Sequence, residues 1–134
     1  MFRKHMPLPV VVFVLALVLA AGCRKQAVHD YEAQPMPQIS AKLTEVKVKD
    51  AIVRAGTAAG WQVVPEEGPS LRATTYYRNK HMAAVRITFT QNTYSIRYAN
   101  SANFDYNGGM IHSNYNNLVL RLRQSIDAEL ASIR

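Results

Sequence analysis

A second cysteine is missing from this 134-residue chain. Cys23 stands alone, so no internal disulfide can close and no multi-cysteine zinc site can form. Long apolar runs are missing too. The longest, Val10 to Gly22, has thirteen residues, and a membrane-crossing helix needs ~20 to traverse ~30 Å of hydrocarbon. There is no block of like charge. The 16 Lys and Arg residues outnumber the 9 Asp and Glu but are scattered, for a net charge of +7. That distribution fits a solvated surface and argues against nucleic acid as a partner. The sequence has no Gly-x-Ser-x-Gly, no His-Glu-x-x-His, no phosphate loop and no Gly-x-Gly-x-x-Gly. No catalytic residue and no metal ligand can therefore be assigned, and the expectation is a protein that is not an enzyme.

What is present begins at the N-terminus. Arg3 and Lys4 precede the apolar run, and its thirteen residues match the ~7–15 of an export signal. The run ends in Leu19-Ala20-Ala21-Gly22-Cys23, which resembles a bacterial lipobox. Ala20 stands where that pattern usually has leucine, with Leu19 one place earlier. The resemblance implies a diacylglycerol thioether on Cys23 and cleavage between Gly22 and Cys23. It also implies a mature chain that starts at Cys23 and is held by covalent lipid, with no other cofactor. An unpaired thiol in an oxidising compartment is otherwise a liability. Arg24 as second mature residue resembles the sorting default for the outer membrane. The expected location is thus the cell envelope, lipid-anchored and facing the periplasm. Loss of residues 1–22 leaves 14 basic and 9 acidic residues, a net +5.

Residues 23–43 carry Pro35 and Pro37 and show no sustained periodicity, so they read as a lipidated end and flexible tether. A coil of about twenty residues reaches roughly 25 Å. Residues 44–134 then form the domain. Val48, Ala51, Ile52, Ala55 and Ala59 recur at helical spacing, and Gly60 supplies a stop. A helix over about 47–59 follows. A short run at 61–67, ended by Pro65, is a strand candidate, and runs at 71–78, 83–90 and 93–98 alternate apolar and polar, joined by short links at 79–82 and 91–92. Ile111, Tyr115, Leu118, Leu122, Ile126, Leu130 and Ile133 make a helical stripe, with Ser113 as expected N-cap. The expected fold is α+β: a three- to four-stranded antiparallel meander, one helix before it and one after, both on one sheet face.

Three places invite chemistry. The stretch 103–114 opens like a calcium loop, with Asn103, Asp105, Asn107 and Gly108, but ends on Asn114 where a bidentate glutamate belongs. An Asx-rich loop that caps its own backbone is the plainer reading, and Ser101, Asp105 and His112 are too ordinary a set for a catalytic triad. The second place is a candidate cluster of Tyr98, Ser101, Asn103, Tyr106, His112, Tyr115 and Asn116, where a strand end meets a helix N-terminus suited to an anion. The same residues could equally pin a loop. The third is the polar side of the sheet, with Arg72, Tyr76, Arg86 and Arg97. Such a face can grip an acidic peptide, a glycan or an envelope protein, or simply be wet.

The pattern Tyr94-Ser-Ile-x-Tyr98, Ser101-x-Asn103, Tyr106 and Ile111-His112-x-x-Tyr115-Asn116 is similar to a group of small proteobacterial envelope proteins, often lipoproteins. The resemblance spans about residues 46–130. Phe104 stands where leucine is frequent in that group. The resemblance implies a shared element at 94–116 and no reaction. Three functions stay open at this point: an accessory binding role, a small-ligand or enzymatic site around Tyr98, Tyr106 and His112, and a structural spacer.

Overall fold

Two helices and seven strands emerge in the computed structural model, which describes residues 24–39 and 41–134. In chain order they are β1 (Lys25–Ala27), β2 (Tyr31–Pro35), α1 (Glu45–Ala58), β3 (Gln62–Pro65), β4 (Ser70–Tyr77), β5 (His81–Phe89), β6 (Thr93–Ala102), β7 (Met110–His112) and α2 (Ser113–Ala131). The expected cleavage site and lipid attachment point, Gly22 and Cys23, lie outside the described residues. Among the described residues no helix is long and apolar enough to cross a membrane.

The class is α+β, with antiparallel pairing throughout. The strand count differs from expectation. A five-stranded sheet in the order β2-β6-β5-β4-β3 accompanies a separate two-stranded ribbon, β1-β7. The consecutive part, β3 to β6, follows from alternation: Leu71, Ala73, Val85, Ile87, Phe89, Tyr94 and Ile96 all face the core. The added strands carry no such pattern. All three residues of β1 are exposed, and in β2 only Tyr31 is buried. The register of β2 also slips between Tyr31 and Gln34, with Ala33 at φ 44°. A bulge on an edge strand breaks the period of two, so the hydrophobic pattern is silent there.

The stretch expected as a tether is therefore corrected in its first half. Residues 24–35 are built into the fold through β1 and β2. Met36 and Leu43 pack against the core, and Met36 N–H donates to the Asn92 carbonyl at 3.1 Å.

Helix α1 starts at a conventional cap: the Thr44 hydroxyl accepts from Lys47 N–H at 3.2 Å. It ends at Gly60, whose φ of 86° suits a residue without a Cβ. Helix α2 buries Tyr115, Val119, Leu122, Ile126 and Leu130, so Val119 replaces the only half-buried Leu118 in the expected stripe. Its cap is His112, not Ser113: Nδ1 of His112 accepts from Asn114 N–H at 3.2 Å. Strand β7 runs straight into the helix, and Ser113 N–H already donates to the Arg24 carbonyl at 2.7 Å. The helices pack on each other, with Ser125 Oγ donating to the Ala55 carbonyl at 3.0 Å. Gly56 permits a close approach of α1 to β3.

Candidate functional site

The end of β6 brings the aromatic residues together. Val85 pairs with Tyr98 and Ala84 with Asn100, so one extra residue of β6 bulges at Ala99. The bulge carries β6 on to Ala102 and sets Tyr98 and Ser101 side by side, with their hydroxyl oxygens 2.8 Å apart. The Tyr98 ring stacks on Tyr106 at 4.3 Å and meets Tyr115 edge-on at 5.5 Å. Tyr115 in turn meets Phe104 at 6.1 Å. Tyr98 N–H donates to Asp30 Oδ1 at 2.8 Å. The Tyr115 hydroxyl is buried and has no hydrogen-bond partner among the described residues. Burial first, then the negative charge of Asp30, pushes its pKa well above the ordinary phenol value, so it stays protonated.

The other members of the expected cluster are engaged elsewhere. Asn116 stitches the N-terminal segment to α2. Its carbonyl oxygen accepts from His29 N–H at 3.0 Å, and its amide donates to the Ala27 carbonyl at 2.9 Å and to Gln26 Oε1 at 3.2 Å. Asn103, at φ 61°, donates to the Lys80 carbonyl at 2.6 Å. The Asn103 carbonyl lies 2.6 Å from Nδ1 of His81. His112 caps α2. With Nδ1 accepting, the neutral ring carries its proton on Nε2. Loop 103–110 holds Asn103, Asp105, Gly108 and Gly109 at positive φ and closes with reciprocal hydrogen bonds between Asn107 and Met110. Among the described residues no three His, Cys, Asp or Glu side chains come close enough to hold a metal ion.

The polar side of the sheet is a row of guanidinium groups. Arg72 lies opposite Arg86, and Arg86 opposite Arg97. Like charges so placed repel, and two carboxylates answer them. Glu66 accepts from Arg72 Nε at 2.8 Å and from Arg86 Nε at 2.9 Å. Glu32 takes Arg97 in a fork, from Nε at 2.7 Å and Nη2 at 2.5 Å. Arg97 Nη1 also donates to Thr88 Oγ1 at 3.2 Å. Hydrogen bonding to Arg72 and then Arg86 holds the Glu66 carboxyl below its ordinary pKa, and Arg97 does the same for Glu32. Tyr76 is 67% exposed. The face is thus more ordered and less positive than its arginines alone imply. Sequence reasoning missed both glutamates. Glu66 lay at the tail of the 61–67 run, beyond Pro65, and Glu32 in the stretch read as tether.

A third grouping had no signal in the sequence. The buried Tyr94 hydroxyl donates to Asp127 Oδ1. Arg123 lies over the Tyr31 ring, 5.0 Å from its centroid, with Nε 3.7 Å from Asp127 Oδ2. Burial and the Asp127 contact raise the Tyr94 pKa. A shallow cleft of about 270 Å³, lined by Gln34, Pro35, Met36, Pro37, Arg123 and Asp127, opens beside them. The group ties Tyr94 of β6 and Tyr31, the first residue of β2, to α2. Comparison with protein-family models, with curated proteins and with solved structures finds no match for this chain.

Proposed function

We propose that this protein is a lipid-anchored component of the bacterial cell envelope, acylated at Cys23, with an accessory binding role rather than a catalytic one. The observation that carries the anchoring is the thirteen-residue apolar run that ends in Ala-Ala-Gly-Cys behind two basic residues. In this reading the outer membrane holds the lipid and the domain faces the periplasm. Radiolabelled palmitate enters the wild type and not Cys23→Ser; equal labelling of both overturns the reading.

The binding surface in this reading is the Arg72–Arg86–Arg97 row. Its support is order: Glu66 and Glu32 fix the guanidinium groups before any partner arrives, which lowers the entropy lost on binding. The partner is an envelope protein or glycan that presents acidic groups. Charge reversal at Arg72, Arg86 and Arg97 abolishes capture of that partner, and unchanged capture removes this surface from consideration. The alternative ligand or enzymatic site around Tyr98, Tyr106 and His112 has less support, because the Tyr98 hydroxyl and His112 Nδ1 already hold Ser101 and the helix cap.

A further inference from the structure

The geometry points to a membrane-resting face: we propose that the β1–β7 ribbon and the loop 105–110 lie against the lipid headgroups. The domain then sits on the bilayer instead of swinging from it. This rests on the acylation of Cys23 proposed above. It follows from how early the chain is tied down. The Arg24 carbonyl accepts from Ser113 N–H at 2.7 Å. Lys25, Gln26 and Ala27 pair with His112, Ile111 and Met110. Val28 N–H donates to the Gly109 carbonyl at 2.8 Å, and His29 N–H to Asn116. A single residue spans at most about 3.6 Å, so the lipid-bearing position is one short step from fixed backbone. The ~25 Å of free travel expected of a tether is not there.

The surface within that step has interfacial chemistry. Arg24 and Lys25 are exposed at the point where the chain enters the fold, and basic residues near a bilayer are drawn to anionic headgroups. Met110 pairs with Ala27, two residues from Lys25, or about 7 Å along a strand. Met110 is 42% exposed and Tyr106 47%, both beside a turn that is otherwise polar. Tyrosine, with an apolar ring and a polar tip, concentrates at membrane–water boundaries. Two acids lie nearby. Asp30 is engaged by the Tyr98 N–H, while exposed Asp105 keeps the loop at headgroup depth and out of the hydrocarbon. Val64 and Tyr76 are also exposed but lie in β3 and β4, not in the ribbon or the loop, and in the proposed orientation they face the periplasm.

The test uses the full lipidated protein, purified from membranes and reconstituted in vesicles of phosphatidylethanolamine and phosphatidylglycerol in equal parts. Single variants Tyr106→Cys, Met110→Cys, Val64→Cys and Tyr76→Cys carry an environment-sensitive fluorophore; the thioether at Cys23 does not compete for label. Circular dichroism confirms that each variant is folded. Met110→Cys keeps the test valid if loss of the Tyr106–Tyr98 stack disturbs the loop. The labels at 106 and 110 shift to the blue, and spin-labelled lipid quenches them several-fold more than those at 64 and 76. Acyl mass intact at Cys23 with four equally water-exposed labels overturns the orientation alone. Absence of acyl mass overturns the anchoring reading and this proposal with it.

Discussion

Tyr115 carries a hydroxyl that no described residue satisfies, in a side chain with no exposed surface. A buried, unpaired polar group costs roughly 1–3 kcal/mol. Tyr115→Phe is therefore expected to leave urea stability unchanged or raise it by up to about that amount; a loss of stability would mean the hydroxyl has a partner. The pH dependence has a definite sign. Folded Tyr115 ionises above the ordinary value of 10.0, whereas the unfolded chain ionises near it. Stability from this group is complete below pH 10 and is lost as pH rises past it. Tyr115→Phe should flatten that alkaline decline in a thermal-melt series. Glu66 behaves in the opposite sense. Its folded pKa lies below the ordinary 4.5, so its contribution is present above that value and disappears as pH falls through the lowered one. Glu66→Gln should lower the melting temperature at pH 7 and converge with wild type at strongly acidic pH. An unchanged melting temperature at pH 7 would mean that Arg72 and Arg86 do not depend on it. The effect is modest, because these are surface pairs. Glu66 was invisible as an interaction partner in the sequence, and Tyr115, placed in the aromatic cluster, gave no sign there that its hydroxyl goes unpaired. A phenol at a helical core position reads as apolar, and the Glu66–Arg86 bond spans a separation of 20 residues.

At the level of elements, propensity and packing disagree at Gly56. An exposed helix interior favours alanine over glycine by about 1 kcal/mol. Here a Cβ would lie 2.5 Å from Val63 Cγ2, and overpacking costs typically 1–3 kcal/mol. Gly56→Ala should destabilise in a urea titration, and adding Val63→Ala should recover much of the loss; a stabilised single variant would refute the close contact of α1 with β3. Asn116 presents the complementary case. It was legible as part of a cluster, but its job is to hold β1 and the link that follows it to α2. Asn116→Ala should speed amide exchange across residues 24–35 while the core of α2 stays protected. Unchanged exchange would show that the ribbon holds itself. The central strands and both helices were legible because their faces repeat every two or 3.6 residues. The short strands β1, β2 and β7 have no repeating face to read, and backbone pairing alone defines them.

For the whole molecule, the N-terminal segment changes from a leash into a part of the sheet. Tyr31 is in the core and β2 covers the edge of β6. A chain that starts at residue 44 is expected to lose several kcal/mol, since one buried large apolar side chain contributes roughly 1.5–3 and an opened strand edge invites pairing with other chains. Denaturant titration and light scattering of this truncation check the point; full stability would restore the tether. The face made of Arg72, Arg86 and Arg97 changes at the same scale. Its charge was countable from the sequence, but its order comes from Glu66 and from Glu32, the latter 65 residues away from Arg97.

The sequence by itself determined the α+β class, the two amphipathic helices, the inward residues of the central strands and the turn at Gly60. Each of these rests on side-chain periodicity or local backbone freedom, which a short window contains. The tertiary structure decided the edge strands, the His112 cap, the carboxylate partners of the arginines and the loss of the tether. Apart from the His112 cap, which follows from β7 pairing with β1 and running straight into the helix, these depend on groups brought together across up to 90 residues of chain. Only the folded backbone sets such distances.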